Sequence, residues 1–177
     1  TSNMNKTILI SVIVLALIIG LLAWGRIGSA GTPAAGTHIP ASTSPTLAPD
    51  FSLEKLGGGT IALADYRGVK PVILGFWTTW CPNCRRDMPR QNEWYLKYKD
   101  KVEVIGVNMQ ENPSTVAAFI RKLGIEYPIA LDPQGAATRA YGVSYTNYHI
   151  LIDKEGNIVK TIPGDISEQD FISLLDS

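Results

Sequence analysis

Only two cysteines occur in the 177 residues, and they stand together as Trp80-Cys81-Pro82-Asn83-Cys84. Thiols at i and i+3 in the first turn of a helix are close enough for a disulfide to form and break with little backbone movement. Cys81 at the helix N-terminus is the better nucleophile, because the orphan amides and the macrodipole stabilise its thiolate; Arg85, Arg86 and Arg90 add nearby positive charge. A low-pKa thiolate attacks a partner's disulfide, and Cys84 then resolves the mixed disulfide. The chemistry read from these residues is therefore thiol-disulfide exchange through a redox-active Cys81–Cys84 disulfide, with no other cofactor. Covalent haem attachment needs a histidine after the second cysteine, where Arg85 stands. Two cysteines and two histidines fall short of a single-chain structural zinc cluster. A Cu(I) site built from Cys81, Cys84 and His149 is the competing, non-enzymatic reading.

The pair must be presented by a strand and a helix, and the flanking pattern supplies both. Val72 to Trp77 is a continuous apolar run, as for a strand buried on both faces. Cys81 to about Lys99 reads as a helix bent at Pro89. Val102 to Val107 is the next buried strand. Asn112 caps and Pro113 opens a helix that runs to Leu123 and stops at Gly124. A short strand follows at Pro128 to Leu131, then a short helix at Ala136 to Tyr141. Phe51 to Leu53 and Thr60 to Leu63 flank Gly57-Gly58-Gly59 as a hairpin, with a turn at Asp65 to Gly68. Tyr148 to Ile152 and Ile158 to Ile162 form a second hairpin, and Ser167 with Asp170 forms a capping box for the last helix. Interleaved strands and helices make the class α/β.

The first 26 residues do not belong to this domain. Ile8 to Gly25 are 18 residues with Ser11 as the single hydrophilic side chain, bracketed by Lys6 and Arg26. As a helix they cover roughly 27 Å, near a bilayer's hydrocarbon thickness, so residues 1–26 read as an N-terminal transmembrane anchor. The competing reading is a cleaved signal peptide ending near Gly28-Ser29-Ala30. Thr1-Ser2-Asn3 ahead of Met4 read as an expression remnant. Residues 27–49 carry no charge, and 19 of the 23 are Gly, Ala, Ser, Thr or Pro, which describes a flexible tether containing His38. Residues 50–177 form the domain.

The whole chain balances 16 basic against 16 acidic side chains, and no basic block occurs, which excludes an electrostatic nucleic-acid binder as the default. Charge does not fix the orientation of the anchor, since Lys6 and the amino terminus face a single Arg26. Chemistry does better. Protein disulfides persist outside the cytoplasm, so the expected location is the cell membrane, single-pass, with the domain on the extracytoplasmic side.

Over the whole domain the sequence resembles the membrane-anchored thioredoxin-like proteins of the ResA and TlpA type. The resemblance is carried by Ala48-Pro49-Asp50-Phe51-Ser52-Leu53, Leu63-Ala64-Asp65-Tyr66-Arg67-Gly68, Phe76-Trp77-Thr78-Thr79-Trp80-Cys81-Pro82-Asn83-Cys84 and Leu151-Ile152-Asp153-Lys154-Glu155-Gly156. It implies a thioredoxin fold, a central mixed sheet with helices on both faces, in which Asn108 to Tyr127 is an inserted strand-helix element. It also implies that Cys81 attacks, that Cys84 resolves, and that Trp80 is the tryptophan beside them. Asp87 falls where the family carries a glutamate that tunes the thiols and relays protons; the alternative is an ordinary acid in the helix's first turns. The implied partners are a protein disulfide substrate, apocytochrome c before haem attachment among them, and a membrane thiol-electron donor.

The sequence departs from that pattern at the docking loop. The family places a cis-proline opposite the disulfide, and alignment back from Leu151-Ile152-Asp153 puts Asn147 there, between Thr146 and Tyr148. A cis bond before a non-proline residue costs about 2.5 to 4 kcal/mol, so a trans peptide or a rearranged loop is expected. The substrate-binding residues inferred are Thr146, Asn147 and Pro82, the last in an order reversed from the family's usual proline before the second cysteine. Loss of the cis-proline also opens the thiols to a metal, which adds some weight to the copper alternative without displacing the redox reading. A thiol peroxidase is the other alternative, because Thr78 lies three residues before Cys81; Leu74 stands where that chemistry needs a proline.

Overall fold

The computed structural model describes residues 45–175. Its strands are β1 (Thr46–Leu47), β2 (Ser52–Lys55), β3 (Thr60–Ala62), β4 (Val72–Trp77), β5 (Glu103–Met109), β6 (Ile129–Asp132), β7 (Tyr148–Ile152) and β8 (Asn157–Pro163). The helices are α1 (Pro82–Tyr98), α2 (Pro113–Leu123), α3 (Ala136–Ala140) and α4 (Glu168–Ser173), with a single 3-10 turn at Leu63–Tyr66. All eight strands join one sheet in the order β1-β8-β7-β4-β5-β6-β2-β3. β4, β5 and β6 run parallel, and the other neighbours pair antiparallel.

β4 is central because every one of its six residues is buried. Alternation divides them between two cores. Ile73 and Trp77 face Cys84 and Met88 of α1, Val116 of α2 and Phe171 of α4. Val72, Leu74 and Phe76 face the other way, onto Ala137 of α3, Leu63 and Ile150. This is the mixed sheet with helices on both faces that the resemblance implies. Phe171, wholly buried, sets its ring edge-on to Trp94 and beside Tyr98, fastening α4 to α1.

The helix ends follow their sequence signals. Asn112 Oδ1 accepts from the Ser114 amide at 2.9 Å, and Gly124 ends α2 in the left-handed conformation at φ 65°. Ser167 and Asp170 close the expected capping box at α4. α1 continues through Pro89 without interruption. On β5, Gly106 lets the Trp77 indole lie across the strand: a Cβ there would stand 2.8 Å from Ile129 Cδ1 and 3.0 Å from Trp77 Nε1.

Paired structure begins ahead of the boundary expected at Asp50. Thr46 and Leu47 pair with Ile158 and Asn157, and the Ala48 amide donates to Gly156 O at 2.9 Å. Composition marked these residues as tether, but backbone pairing to a distant strand is what orders them. The anchor expected at residues 1–26 and the tether up to residue 44 lie outside the described residues. Among the described residues no helix is long and apolar enough to cross a membrane.

Candidate active site

The strand-to-helix junction after β4 places the two sulfurs. Cys81 is the N-cap of α1, with extended backbone at φ −71° and ψ 114°, and Pro82 occupies the first helical turn, where its missing N–H costs nothing. Cys81 and Cys84 form a disulfide with Cα atoms 5.3 Å apart, and the Cys84 amide donates to Cys81 Sγ at 3.1 Å. A cysteine sulfur thus takes the position of a capping oxygen, so a negative charge on Cys81 receives an amide hydrogen bond and the positive end of the helix dipole. Cys84 is fully buried and Cys81 is 3% exposed. Trp80 beside it is 65% exposed, and Pro82 is exposed as well.

The arginines expected to raise the local potential are each committed to a partner. Arg85 Nε donates to Thr79 O at 2.7 Å, and its guanidinium lies over the Phe119 ring, which in turn stacks on Trp77. Arg86 donates to both carboxylate oxygens of Asp165, at 3.0 and 2.8 Å. Arg90 bridges Asp87 at 2.9 Å and Asp165 at 3.3 Å. Arg86 beside Asp165 holds that carboxyl below its usual range.

Glu111 is a site residue that the sequence reading missed. Its carboxylate accepts from the Thr79 amide at 2.7 Å, the Thr79 hydroxyl at 2.6 Å and Asn108 Nδ2 at 2.7 Å. These bonds latch the loop before Cys81 to the end of β5. A lone glutamate just before a helix cap gives no sequence signal for this, since its partner is 32 residues away.

Asp87 is completely buried one turn beyond Cys84 on the inner face of α1. Besides Arg90 on Oδ1, its Oδ2 accepts from Gln91 Nε2 at 2.7 Å and from the Ile166 amide at 3.4 Å. His149 Nε2 lies 3.9 Å from Oδ2 and 2.7 Å from Gln91 Nε2, while Nδ1 faces Gly164 O at 3.0 Å. A carbonyl can only accept, so the proton sits on Nδ1 and Nε2 accepts from Gln91. Burial pushes His149 below its ordinary value against the opposing pull of Asp87, in keeping with that neutral tautomer.

His149 is therefore engaged on both ring nitrogens and is not gathered with Cys81 and Cys84. Among the described residues no three His, Cys, Asp or Glu side chains are placed to hold a metal ion, so the Cu(I) triad suggested by the sequence is not assembled in this geometry. Thr78 is buried with its hydroxyl unpartnered among the described residues.

The loop before β7, where the family's proline was expected, takes the rearranged form. The described peptide bonds are all trans, and Asn147 adopts φ 59°, a left-handed conformation that Asn tolerates better than most side chains. Its amide donates to Phe76 O and its carbonyl accepts from the Gly164 amide, both at 2.9 Å. Nδ2 donates to Asp165 Oδ1 at 2.8 Å, tying the loop through Asp165 to Arg86 and Arg90 on α1. Thr146, half-buried, precedes it, and exposed Tyr145 sets its ring edge-on to Tyr148. Restoring the family's residue with Asn147→Pro is expected to destabilise the fold by roughly 2–4 kcal/mol, because proline fixes φ near −65° and cannot donate to Phe76 O. Denaturant unfolding checks this: the midpoint falls for Asn147→Pro and holds for Asn147→Gly.

Residues 46–161 match the model of the AhpC/TSA family. The chain is 43% identical over 131 residues to a protein of Geobacillus thermodenitrificans named thiol-disulfide oxidoreductase ResA, covering 73% of this chain and 75% of that protein. It is 38% identical over 123 residues to the protein of the same name from Bacillus cereus, covering 69% and 70%. Among solved structures it is similar to a thioredoxin-family thiol:disulfide interchange protein of Chlorobium tepidum, with a TM-score of 0.69, 26% identity, and coverage of 77% of this chain and 97% of that one. StoA from Bacillus subtilis aligns with a TM-score of 0.63 and 27% identity, covering 73% and 98%.

Proposed function

The chain belongs to the AhpC/TSA family, among the ResA-type thioredoxin-like thiol-disulfide oxidoreductases, and from that premise we propose that it is a membrane-tethered reductant of protein disulfides on the extracytoplasmic side, with apocytochrome c as a substrate. The observation that carries the reading is the asymmetry of the pair: Cys81 caps α1 beside the exposed Trp80, while Cys84 is sealed beneath it.

In the reduced protein the Cys81 thiolate attacks one sulfur of the substrate disulfide. A bond forms between Cys81 Sγ and that sulfur, and the other substrate sulfur leaves as a thiolate. Cys84 then gives its proton to Asp87 and attacks Cys81 Sγ, so that the second substrate thiolate leaves and the Cys81–Cys84 disulfide forms. Two electrons pass to the substrate, and each leaving thiolate takes a proton from water or from Asp87. The substrate strand docks across Thr146, Asn147 and Pro82, with Trp80 covering one side. A membrane thiol-electron donor reduces Cys81–Cys84 for the next cycle, and the apolar segment Ile8 to Gly25 holds the domain at the membrane where that donor resides.

The test compares two substrates of the full chain at equal concentration: an oxidised peptide with the haem-attachment pattern Cys-x-x-Cys-His, and an unrelated disulfide protein. Reduction of the peptide is expected to be at least about tenfold faster in kcat/KM, equivalent to roughly 1.4 kcal/mol of selective transition-state binding. Equal rates would leave a general disulfide reductase and remove the apocytochrome assignment.

A further inference from the structure

On the inner face of α1, starting one turn beyond Cys84, Asp87 at 0% and Gln91 at 3% exposure meet His149 of β7 at 2%, a row of buried polar side chains. Burying three polar groups costs free energy that an apolar trio would not, unless their hydrogen bonds are complete and put to use. Here the donors and acceptors match in only one arrangement. The Asp87 carboxylate can only accept, which fixes the Gln91 atom facing it as the amide nitrogen. The second hydrogen of that nitrogen points at His149 Nε2, which must therefore be bare, and Nδ1–H donates to Gly164 O. β4 makes room for this at Gly75, where a Cβ would lie 3.2 Å from His149 Cδ2 and 3.4 Å from Nε2. The strand that delivers the disulfide thus lacks a side chain where the imidazole sits.

We propose that Gln91 and His149 are positioning residues which hold Asp87 as the proton acceptor for Cys84; this rests on the dithiol mechanism above. Cys84, Asp87 and Gln91 fall at i, i+3 and i+7 and share the inner face of α1. A carboxylate offers about four lone-pair positions, and three are taken, by Arg90 on Oδ1 and by Gln91 and the Ile166 amide on Oδ2. The remaining position, on Oδ1, receives the Cys84 proton, while Oδ2 keeps both of its donors whether or not the acid is protonated. His149 acts through Gln91: its bare Nε2 fixes which way the amide faces. Were Nε2 protonated, two N–H groups would oppose each other, the amide would turn, and its oxygen would confront Asp87. The charges around the imidazole are Asp87 with Arg90 from α1, Asp165 of the loop after β8 paired to Arg86 of α1, and Asp170 of α4 paired to Lys160 of β8. β4 contributes none at Gly75.

The test separates the two sulfur steps. The reduced full chain is mixed with an aromatic disulfide whose released thiolate absorbs light. The first release reports attack by Cys81 and the second reports resolution by Cys84. In Gln91→Met and His149→Phe the first release is expected to match wild type. The second should slow about tenfold, because an Asp87 that loses its oriented donor is no longer held in place to take the Cys84 proton. His149→Gln places a non-titrating acceptor near the Nε2 position and is expected to recover the second release to within about threefold of wild type. Gln91→Met, close in volume, carries the test alone if His149→Phe does not fold. A second release at the wild-type rate in Gln91→Met overturns the proposal, as does His149→Gln resolving as slowly as His149→Phe. A wild-type chain that releases no second thiolate overturns the dithiol mechanism itself, an outcome distinct from a normal wild type with unaffected variants.

Discussion

Replacing Cys81 by serine is expected to reduce disulfide exchange to the uncatalysed background, while Cys84→Ser stops the reaction halfway with the substrate covalently held on Cys81. The two variants differ because the two sulfurs have different surroundings. Cys81 accepts the Cys84 amide at the head of α1, the arrangement that lowers a thiol's pKa, and it is the cysteine with residual exposure. Cys84 is buried against Met88 and Trp77 and reaches only a sulfur already bonded to Cys81. Serine at position 81 keeps the cap but is a poor nucleophile at neutral pH. Serine at 84 leaves the attack intact and removes the resolving step. Non-reducing mass analysis after incubation with an oxidised peptide distinguishes them: an adduct accumulates on Cys84→Ser and none forms on Cys81→Ser. Adducts on both variants in equal yield would show that either sulfur can attack.

Asp87→Asn is the second large effect expected, about a hundredfold on the resolving step with the first step left near wild type. An amide of the same shape cannot take up the Cys84 proton. It also meets the donors of Arg90, Gln91 and Ile166 with one acceptor oxygen in place of two. A buried donor left without a partner costs about 1–3 kcal/mol, so the variant should also unfold at lower denaturant. The two consequences are separable. If the resolving step slows only as much as the first, Asp87 is a structural acid of α1 and not a proton acceptor.

The sequence carried the fold wherever a local rule was sufficient. The apolar run Val72 to Trp77 is β4 residue for residue, and the Asn112-Pro113 start and Gly124 stop bound α2 as they read. The Ser167 and Asp170 capping box is present at α4. β1 was illegible because two residues in a Gly, Ala, Ser and Thr-rich stretch become a strand only by pairing with Asn157 and Ile158, more than a hundred residues away. The candidate site divides in the same way. Cys81, Cys84 and the capping geometry follow from spacing at one helix start. Gln91 and His149 meet across 58 residues of sequence, and a single histidine on a strand offers no periodicity to announce it. At Asn147 the missing proline foretold a trans peptide or a rearranged loop. The left-handed φ and the tie to Asp165 depend on Phe76, Gly164 and Asp165, whose positions only the tertiary structure supplies.

A redox titration of the full chain tests the dithiol chemistry most directly. It is poised in glutathione or dithiothreitol buffers, with rapid thiol trapping and a parallel sample holding one equivalent of Cu(I). Cys81 and Cys84 are expected to appear and disappear together as a two-electron couple, with a midpoint near or below about −270 mV, as suits a thioredoxin-like reductant, and with no displacement by copper. Thiols that are trapped singly, fail to equilibrate with the buffer, or leave exchange when Cu(I) is added would contradict the assignment of this pair as a reductase dithiol.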